Sequence, residues 1–325
     1  MNYLGRRLIR AILLLVGVSA LCFTFTEMAP GSFFDEMRLN PQVSPETIAS
    51  LRAHYGLDQP LIVRYERWVE AAAHGDLGYS IAYNSPVAPL LWSRAKNTLL
   101  LTTVAMLLAW LISLPLGVWA AARAGRIFDK VSGITSSLLL SVPEVVFAIA
   151  LLAIVVRWRI LPFGGMRSAD FDSLSMCARW KDVAAHMLLP VLILALADGT
   201  IIFRHVRASV LDVLEEPFVR ASHNLGISRT RLLFRHVLPV AASPAISLFG
   251  LSLAGLISGS LLVEVVCGWP GLGPLILEAT LSRDFYLVIG GLILSALFMI
   301  AGNLVADVML IAADPRIRAG VQDAP

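Results

Sequence analysis

Two acidic residues, Glu144 and Asp198, lie within long apolar stretches of the sequence. If these stretches are membrane-spanning helices, a position about twelve residues from one end lies roughly 18 Å deep, near the middle of a hydrocarbon core about 30 Å thick. Charged side chains are costly at that depth, and they normally face a cavity or a partner group. We expect both acids either to face a polar pathway or to form buried structural hydrogen bonds, with Arg157 as a candidate charge partner.

Small and polar residues accompany both acids at helical spacing. Ser137, Ser141 and Glu144 stand at i, i+4 and i+7, so a continuous helix would place them on one face. A second stripe on the next apolar run carries Asp198 and Gly199. The candidate pathway residues predicted from these two stripes are Ser137, Ser141, Glu144, Asp198 and Gly199.

The remaining reactive residue types do not form a catalytic or cofactor-binding set. The lysines are Lys96, Lys130 and Lys181, and none follows a glycine, so the sequence carries no phosphate-binding loop of the Walker type. The six histidines form no i, i+4 pair, and the three cysteines have no metal-type spacing. We predict that the chain is not an enzyme, binds no metal or cofactor itself and has no nucleic-acid partner.

Composition places the chain in a membrane. Hydrophobic residues make up 57% of the 325 residues and charged residues only 15%. Soluble domains have about 45–50% apolar and about 25% charged residues. Because the apolar excess falls in long runs, we predict an all-α polytopic membrane protein with six transmembrane helices. Their predicted bounds are 8–29, 97–121, 131–156, 186–203, 240–266 and 286–313.

Basic residues predict the orientation of these spans. Arginine and lysine concentrate in the N-terminal tail, after the second span, in segment 204–239 and in the C-terminal tail. The stretches 30–96 and 157–185 have nearly balanced charge. By the positive-inside rule, both termini and segment 204–239 face the cytoplasm of a multi-pass plasma-membrane protein.

The first span has two interpretations, because arginines ahead of an apolar core also describe a secretory signal peptide. No small-x-small cleavage site follows it, so we expect an uncleaved helix. The external segment 30–96 then predicts two short helices on the outer face. Ser44 with Pro45 is a helix-start signal, and residues 62–73 carry apolar and aromatic side chains at helical spacing.

Small residues and prolines predict how the spans pack and bend. Small side chains recur every four residues in the second span and form a GxxxG pattern in the fifth, which allows helices to approach closely. Prolines within the spans should kink or end the local helix. The small residues are Ala105, Ala109, Ser113, Gly117, Gly255 and Gly259, and the prolines are Pro115, Pro143, Pro190 and Pro244.

The segment 215–239 is a polar, basic insert between two apolar spans. Glu216 precedes a proline, which favours a helix start because acids stabilise the positive helix end and proline fits the first turn. Phe218, Ala221 and Leu225 follow at i, i+3 and i+7. This spacing predicts an apolar stripe on a short helix.

The second half of the insert predicts a turn and another short helix. Gly226 provides the position where the chain can reverse, and Ser228 can cap a helix that carries Arg229 and further arginines on one side. Leu238 and Pro239 would end this helix and begin the next span. The insert is interpreted either as a docking surface for a soluble partner or as an interfacial helix on anionic lipid.

The insert resembles the signature loop of ABC importer permeases, in which Glu-Ala-Ala, three residues, Gly, nine residues and Ile-x-Leu-Pro follow one another. Here Ala221 and Gly226 occupy the family positions, and Leu238 and Pro239 complete the spacing. The sequence departs from the general loop at Arg220, Ser222 and His236. Further segments resemble the dipeptide, oligopeptide and nickel branch across nearly the whole chain, at 29–31, 56–60, 75–78, 115–117, 141–143, 269–273 and 314–316.

The resemblance implies a permease subunit that forms the pathway for peptides or a similar small solute. It implies two cytoplasmic ATPase subunits that bind ATP and Mg²⁺, a second homologous permease subunit, an extracytoplasmic substrate-binding protein and location in the bacterial inner membrane, with lipid around the spans. The insert would be the coupling helix that seats in an ATPase subunit, with Gly226 as its hinge. The implied docking residues are Glu216, Phe218, Arg220, Ala221, Ser222, Leu225, Gly226, Arg229, Leu238 and Pro239.

The expected organisation has four parts. They are the N-terminal tail and first helix (1–29), the external helical region (30–96), a five-helix core (97–313) with a cytoplasmic coupling loop (209–239), and a C-terminal tail (314–325). The alternative function is a gradient-driven secondary transporter or channel, which would need inverted repeats and an intramembrane ion site. The sequence leaves the cargo open among dipeptides, longer peptides, nickel chelates and glycosides.

Overall fold

The computed structural model describes residues 3–28, 44–47, 50, 58–225 and 227–313, and these residues are mostly helical. This confirms the helical class that was predicted for a polytopic membrane protein. The chain divides into two units, residues 1–97 with 271–297 and residues 98–270 with 298–325. Helices α3 and α11, defined below, each begin in the first unit and continue into the second.

The first unit contains helices and one short hairpin. Its described elements are helix α1 (Tyr3–Met28), helix α2 (Leu61–Ala73), strands β1 (Tyr79–Ser80) and β2 (Ser85–Pro86), the start of helix α3 (Val87–Ala122), helix α10 (Leu272–Leu281) and the start of helix α11 (Phe285–Ala313).

An aromatic cluster forms the core of the first unit. Phe23 of α1 is 1% exposed, and its ring meets Tyr65 of α2 edge-on at 5.2 Å and Phe285 of α11 at 4.8 Å. The Ser19 and Tyr65 hydroxyls are 2.9 Å apart, which adds a polar contact between α1 and α2. The predicted helix at 62–73 is therefore confirmed, and its aromatic residues bind it to the first helix.

The predicted helix start at Ser44 is also present. The backbone N–H of Thr47 donates to the Ser44 Oγ at 3.2 Å, and residues 45–47 are helical. The rest of that predicted helix lies mostly outside the described residues.

The hairpin was not predicted. Strands β1 and β2 pair antiparallel, with Tyr79 opposite Pro86. The carboxylate of Asp284, which is 2% exposed, accepts hydrogen bonds from the Ser80 hydroxyl at 2.7 Å and from the Ala82 N–H at 3.0 Å. One buried acid at the start of α11 therefore holds the hairpin in place.

The second unit contains the longest buried helices. Its described elements are the remainder of α3, helix α4 (Ile127–Ser141), helix α5 (Glu144–Trp158), a 3₁₀ turn (Phe171–Ser173), helix α6 (Met176–Leu214), helix α7 (Pro217–Asn224), helix α8 (Arg229–Leu232), a π-helical segment (Leu233–Val237), helix α9 (Leu238–Cys267) and the remainder of α11.

The predicted third span is wrong as a continuous helix, because α4 and α5 meet at a bend of 100°. Val142 is extended (φ −96°, ψ 123°), and Pro143 precedes the first residue of α5. Proline disfavours the helical conformation of the residue before it, which explains the break. Each helix has 15 residues and is about 22 Å long, shorter than a bilayer core of about 30 Å.

Prolines within the other long helices do not end them. Pro115, Pro190 and Pro244 each lie inside a helix that continues past them. Pro239 was predicted to end the helix after Ser228, and this was wrong. The chain is helical without interruption from Arg229 to Cys267, because the wider π-helical turns just before the proline accommodate its missing N–H.

Small residues bring α3 and α6 together as predicted. A Cβ atom added at Gly117 would lie 3.0 Å from the Phe203 carbonyl oxygen and 3.0 Å from Val206. A Cβ added at Gly199 would lie 2.7 Å from the Ser113 Oγ. Only glycine allows this approach, so the stripe on α3 is a packing surface for α6.

Three described helices, α3, α6 and residues 285–309 of α11, are long and apolar enough to cross a membrane. The bent pairs formed by α4 with α5 and by residues 255–267 of α9 with α10 raise this number to five if each pair is one span. A shorter apolar stretch covers residues 9–25 of α1.

Candidate functional site

Glu144 and Asp198 line one cavity. It has a volume of about 350 Å³ and lies among α4, α5, α6 and α9. The other lining residues are apolar or glycine. The break at Pro143 makes Glu144 the first residue of α5, where the helix dipole favours a negative charge. The cavity therefore combines an apolar wall with two carboxylates.

The two acids are close to each other and to one buried hydroxyl. Asp198 lies within electrostatic range of Glu144 and beside Ser252 of α9. The Oδ2 atom of Asp198 is buried and makes no hydrogen bond with the described residues. The Glu144 carboxylate lies against α9, since a Cβ added at Gly259 would be 3.1 Å from its Oε2.

Ser137 and Ser141 do not share a face with Glu144, contrary to the prediction, because the helix breaks between them. Both serines line a different cavity of about 750 Å³ between α4 and α6. Its charged lining residues are Asp129, Lys130, Arg204 and Arg207.

A partly buried ion pair lines this second cavity. The Arg207 guanidinium donates to both oxygens of Asp129, at 2.5 and 2.9 Å, and the Gly125 N–H donates to Asp129 at 2.9 Å. Asp129 is 5% exposed. The pair connects the first turn of α4 to α6. The residues predicted to form one polar stripe are therefore divided between two cavities that differ in charge.

Gly199 lines neither cavity. It is buried against Ser113 of α3, although Asp198 beside it faces the cavity. In the structure it packs against α3. Arg157, the expected charge partner, is exposed in the last turn of α5 and does not line the cavity of Glu144.

The insert forms the predicted short helix α7, which begins at Pro217. Phe218 is 40% exposed and Leu225 is 81% exposed, and Ala221 between them is also exposed. Val219, on the other side of the helix, is 6% exposed and packs with Val237 in the core of the second unit. The predicted apolar stripe therefore points away from this chain.

The second half of the insert divides into a basic and an apolar side, as predicted. Arg229, Arg231 and Arg235 are exposed, whereas Leu232 and Val237 are buried. Ser228 precedes the helix, but its side chain makes no capping hydrogen bond. Glu216 and Pro239 are exposed, Ser222 and Leu238 are half-buried, and Gly226 and the Arg220 side chain lie outside the described residues.

Sequence reasoning missed three residues that organise these sites. Val219 anchors the insert, Ser252 stands beside Asp198, and Gly259 gives space to Glu144. The GxxxG pattern of Gly255 and Gly259 could have indicated the last of these, but it was interpreted as helix packing. No group of three metal-ligating side chains is present in the part of the chain that the structure describes.

Two family models cover most of the chain. Residues 113–319 match the binding-protein-dependent transport system inner membrane component, and residues 1–114 match the N-terminal region of a membrane component of such systems.

Curated relatives match over nearly their whole length. The chain is 34% identical to the oligopeptide transport system permease protein AppB of Bacillus subtilis, covering 97% of this chain and 98% of that protein. It is 33% identical to the dipeptide transport system permease protein DppB of Escherichia coli K12, covering 98% and 99%. It is 34% identical to the glutathione transport system permease protein GsiC of Escherichia coli O6:H1, covering 98% and 99%.

A solved structure shares the fold. The inward-facing MetNI methionine ABC transporter aligns with a TM-score of 0.51 at 18% identity, covering 69% of this chain and 96% of that one. At this identity the likeness concerns the fold alone. Together with the family matches and the curated relatives, it leads to one conclusion: the chain is a permease of the ABC importer class and belongs to the family of binding-protein-dependent transport system inner membrane components.

Proposed function

We propose that this permease carries peptides or similar small solutes across the inner membrane, driven by ATP hydrolysis on two separate cytoplasmic ATPase subunits. Six crossings place both termini in the cytoplasm, with residues 9–25 as the first span. A second homologous permease completes the pathway, and an external binding protein delivers the cargo to the outer face, where residues 30–96 lie. ATP and Mg²⁺ are bound by the ATPase subunits.

The exposed apolar face of α7 carries the docking proposal. Phe218 on α7 and Leu225 directly after it expose apolar surface, and the other side of α7 is anchored through Val219. An anchored helix with an unpartnered apolar face suits helix-in-groove binding, because the face is already held in the bound conformation. Docking of an ATPase subunit at this face supplies the force that changes the accessibility of the pathway.

The docking surface comprises the exposed stripe and the residues around it. Arg229 and the neighbouring arginines add a basic rim that would favour an acidic groove on the partner. Lipid contact is the alternative, because an apolar stripe beside arginines also suits an anionic membrane surface. The proposed docking residues are Glu216, Phe218, Arg220, Ala221, Ser222, Leu225, Gly226, Arg229, Leu238 and Pro239.

Peptide cargo is supported by the names of the relatives. AppB and DppB are named for oligopeptides and dipeptides, and GsiC is named for glutathione. The cavity of about 350 Å³ at Glu144 and Asp198 is proposed as part of the pathway. Ser137 and Ser141 line the neighbouring cavity and are proposed as a second part of it.

Replacing the docking stripe tests the partner directly. In cells that express the native complex, Phe218→Asp combined with Leu225→Asp should leave the chain in the membrane but abolish co-purification of the ATPase subunits. The control is Ile62→Asp, which places a charge on an exposed apolar residue of helix α2, outside the docking stripe. ATPase subunits that co-purify undiminished with the double variant would favour lipid contact instead.

The energy source separates an importer from a gradient-driven transporter. Uptake of a labelled dipeptide in whole cells should stop when ATP is depleted and continue when an uncoupler removes the proton gradient at preserved ATP. Uptake that follows the gradient would exclude the proposed mechanism. Gly226→Val should uncouple ATP hydrolysis from uptake, and undiminished uptake would exclude Gly226 as a hinge.

A further inference from the structure

The cavity of Glu144 and Asp198 has negative charge without a basic residue on its wall. All fourteen lining residues are described, and apart from the two acids they are leucine, valine, isoleucine, phenylalanine, alanine, proline and glycine. Two carboxylates within electrostatic range of each other repel, and an apolar environment strengthens that repulsion. A cation that enters the cavity would therefore stabilise the ionised pair.

Unused hydrogen-bonding groups surround the two acids. The Asp198 Oδ2 atom is shielded from solvent and has no hydrogen-bond partner among the described residues. Ser252 is 4% exposed, and its hydroxyl is the neutral polar group that stands beside the Asp198 carboxylate. Buried polar groups are nearly always satisfied, so the free Asp198 Oδ2 atom indicates a ligand that supplies donors and positive charge.

The shape of the cavity leaves space for such a ligand. A volume of about 350 Å³ lies at the small end of ligand pockets, which are about 300–1,000 Å³. Gly255 has open space where a side chain would project, and Gly259 keeps the wall beside the Glu144 carboxylate free of a side chain. Both glycines lie on the same face of α9 and widen the cavity next to the acid.

We propose that Glu144 and Asp198 bind a cationic group of the transported solute, so that this permease favours solutes that carry an ammonium or guanidinium group. An ammonium group offers three donors, which match two carboxylates and the Ser252 hydroxyl, and the apolar wall accommodates the adjoining side chain. The proposal rests on the proposed function, since it assigns a charge preference to the pathway of the same transporter.

The test compares two peptides of similar shape and different charge in the complete transport complex. Lysyl-lysine and norleucyl-norleucine differ in their side-chain ammonium groups, and the N-acetylated forms of both remove the α-ammonium group. Because the binding protein is unchanged among variants, a changed ratio of uptake rates reports on the permease. If the acids bind side-chain ammonium groups, Glu144→Gln and Asp198→Asn should each lower the lysyl-lysine to norleucyl-norleucine ratio roughly ten-fold. If they bind the α-ammonium group, both variants should lower uptake of both peptides and leave the ratio unchanged.

The N-acetylated peptides identify the source of the cation. If the acids recognise side chains, acetylation leaves the wild-type ratio unchanged. If they recognise the α-ammonium group, acetylation lowers uptake of both peptides in the wild type and has no further effect in Glu144→Gln. Either result supports a cation site and names the group that occupies it.

Matched variants separate charge from structure. Asp170→Asn removes one negative charge from an exposed position in the loop before α6 and should leave the ratio unchanged. Glu144→Asp keeps the charge and should restore most of the preference that Glu144→Gln loses. An unchanged ratio in both Glu144→Gln and Asp198→Asn, with normal uptake of norleucyl-norleucine, overturns the cation site. Failure of the wild-type complex to transport any of the four peptides instead contradicts the peptide cargo of the proposed function.

Discussion

Asp284 is a buried acid and Asp198 a half-buried one, and their surroundings are opposite. Asp284 accepts hydrogen bonds from the Ser80 hydroxyl and from the backbone N–H groups of Ala82 and Leu287. Asp198 faces a cavity with one carboxylate oxygen that no described donor reaches. The first acid is satisfied by its own chain and holds a hairpin. The second has a free hydrogen-bond acceptor that a solute in the cavity can bind.

This difference teaches how to separate structural from functional charges in a membrane protein. A charge that is fully hydrogen-bonded contributes to stability, and its removal leaves donors unsatisfied. A charge without partners costs stability and is retained for binding. Removing the charge of Asp284 should therefore lower stability, whereas removing the charge of Asp198 should raise stability and lower uptake of cationic peptides.

The largest effect is expected for Asp284→Ala. This variant removes the acceptor of three hydrogen bonds and leaves buried donors in the hairpin, at a cost of about 3 kcal/mol in the free energy of unfolding. The measurement is thermal unfolding of the detergent-purified protein, with the exposed Asp170→Asn as the control. An unfolding temperature equal to that of the control would show that the hairpin does not depend on this acid.

A smaller loss is expected for Gly199→Ala, which tests the packing role of the residue next to Asp198. The new methyl group would lie 2.7 Å from the Ser113 Oγ, and such overpacking costs about 2 kcal/mol. Ser113→Ala removes the obstructing oxygen, and the next nearest atoms are 3.8 Å away. The double variant should therefore unfold near the wild-type temperature. If the second substitution does not rescue the first, Gly199 has a role other than packing against Ser113.

Asp198→Asn is expected to raise stability by about 1 kcal/mol, because it removes an uncompensated charge from a shielded site. The same variant should lower uptake of cationic peptides, so stability and function would change in opposite directions. Thermal unfolding without peptide measures the first quantity. A loss of unfolding free energy as large as that of Asp284→Ala would show that Asp198 stabilises the fold in the same way as Asp284.

The smallest effect is expected at Tyr83, whose hydroxyl donates to Glu278 at 2.5 Å. Burial and this hydrogen bond raise the pKa of Tyr83 to about 12. Because the unfolded value is about 10, the contribution to stability is complete below pH 10 and is lost as the pH rises through 12. Tyr83→Phe should cost less than about 1 kcal/mol at neutral pH. It should also remove one tyrosinate absorbance transition near pH 12, and a transition near pH 10 instead would contradict the hydrogen bond.

Local signals predicted the elements that depend on neighbouring residues. The proline after Glu216 marked the start of α7, and Ser44 marked a helix start that its Oγ caps. The spacing of Phe218, Ala221 and Leu225 predicted a stripe that the structure leaves exposed. Each of these signals acts within one or two turns, which is why one sequence was enough.

Features that depend on distant residues were not predictable in the same way. The hairpin has two residues per strand, too few for an alternating pattern, and Asp284 holds it from about two hundred residues away. Pro143 is expected from the sequence to kink or end a helix. The prediction that Glu144 shares a helical face with Ser141 nevertheless requires a continuous helix through this proline. Both acids were identified from the sequence. Their position in one cavity depends on the 100° bend between α4 and α5, and no local sequence rule predicts the angle of that bend.

The continuous helix from Arg229 to Cys267 has a mechanical consequence. Helical segments of four, five and thirty residues follow one another without a break, roughly 55 Å along the helical path, from the insert to beyond Gly255 and Gly259. A rod transmits torque as well as tension. If this helix turns as one body, a twist applied at the arginines would rotate the two glycines relative to Glu144 and so narrow or widen the cavity.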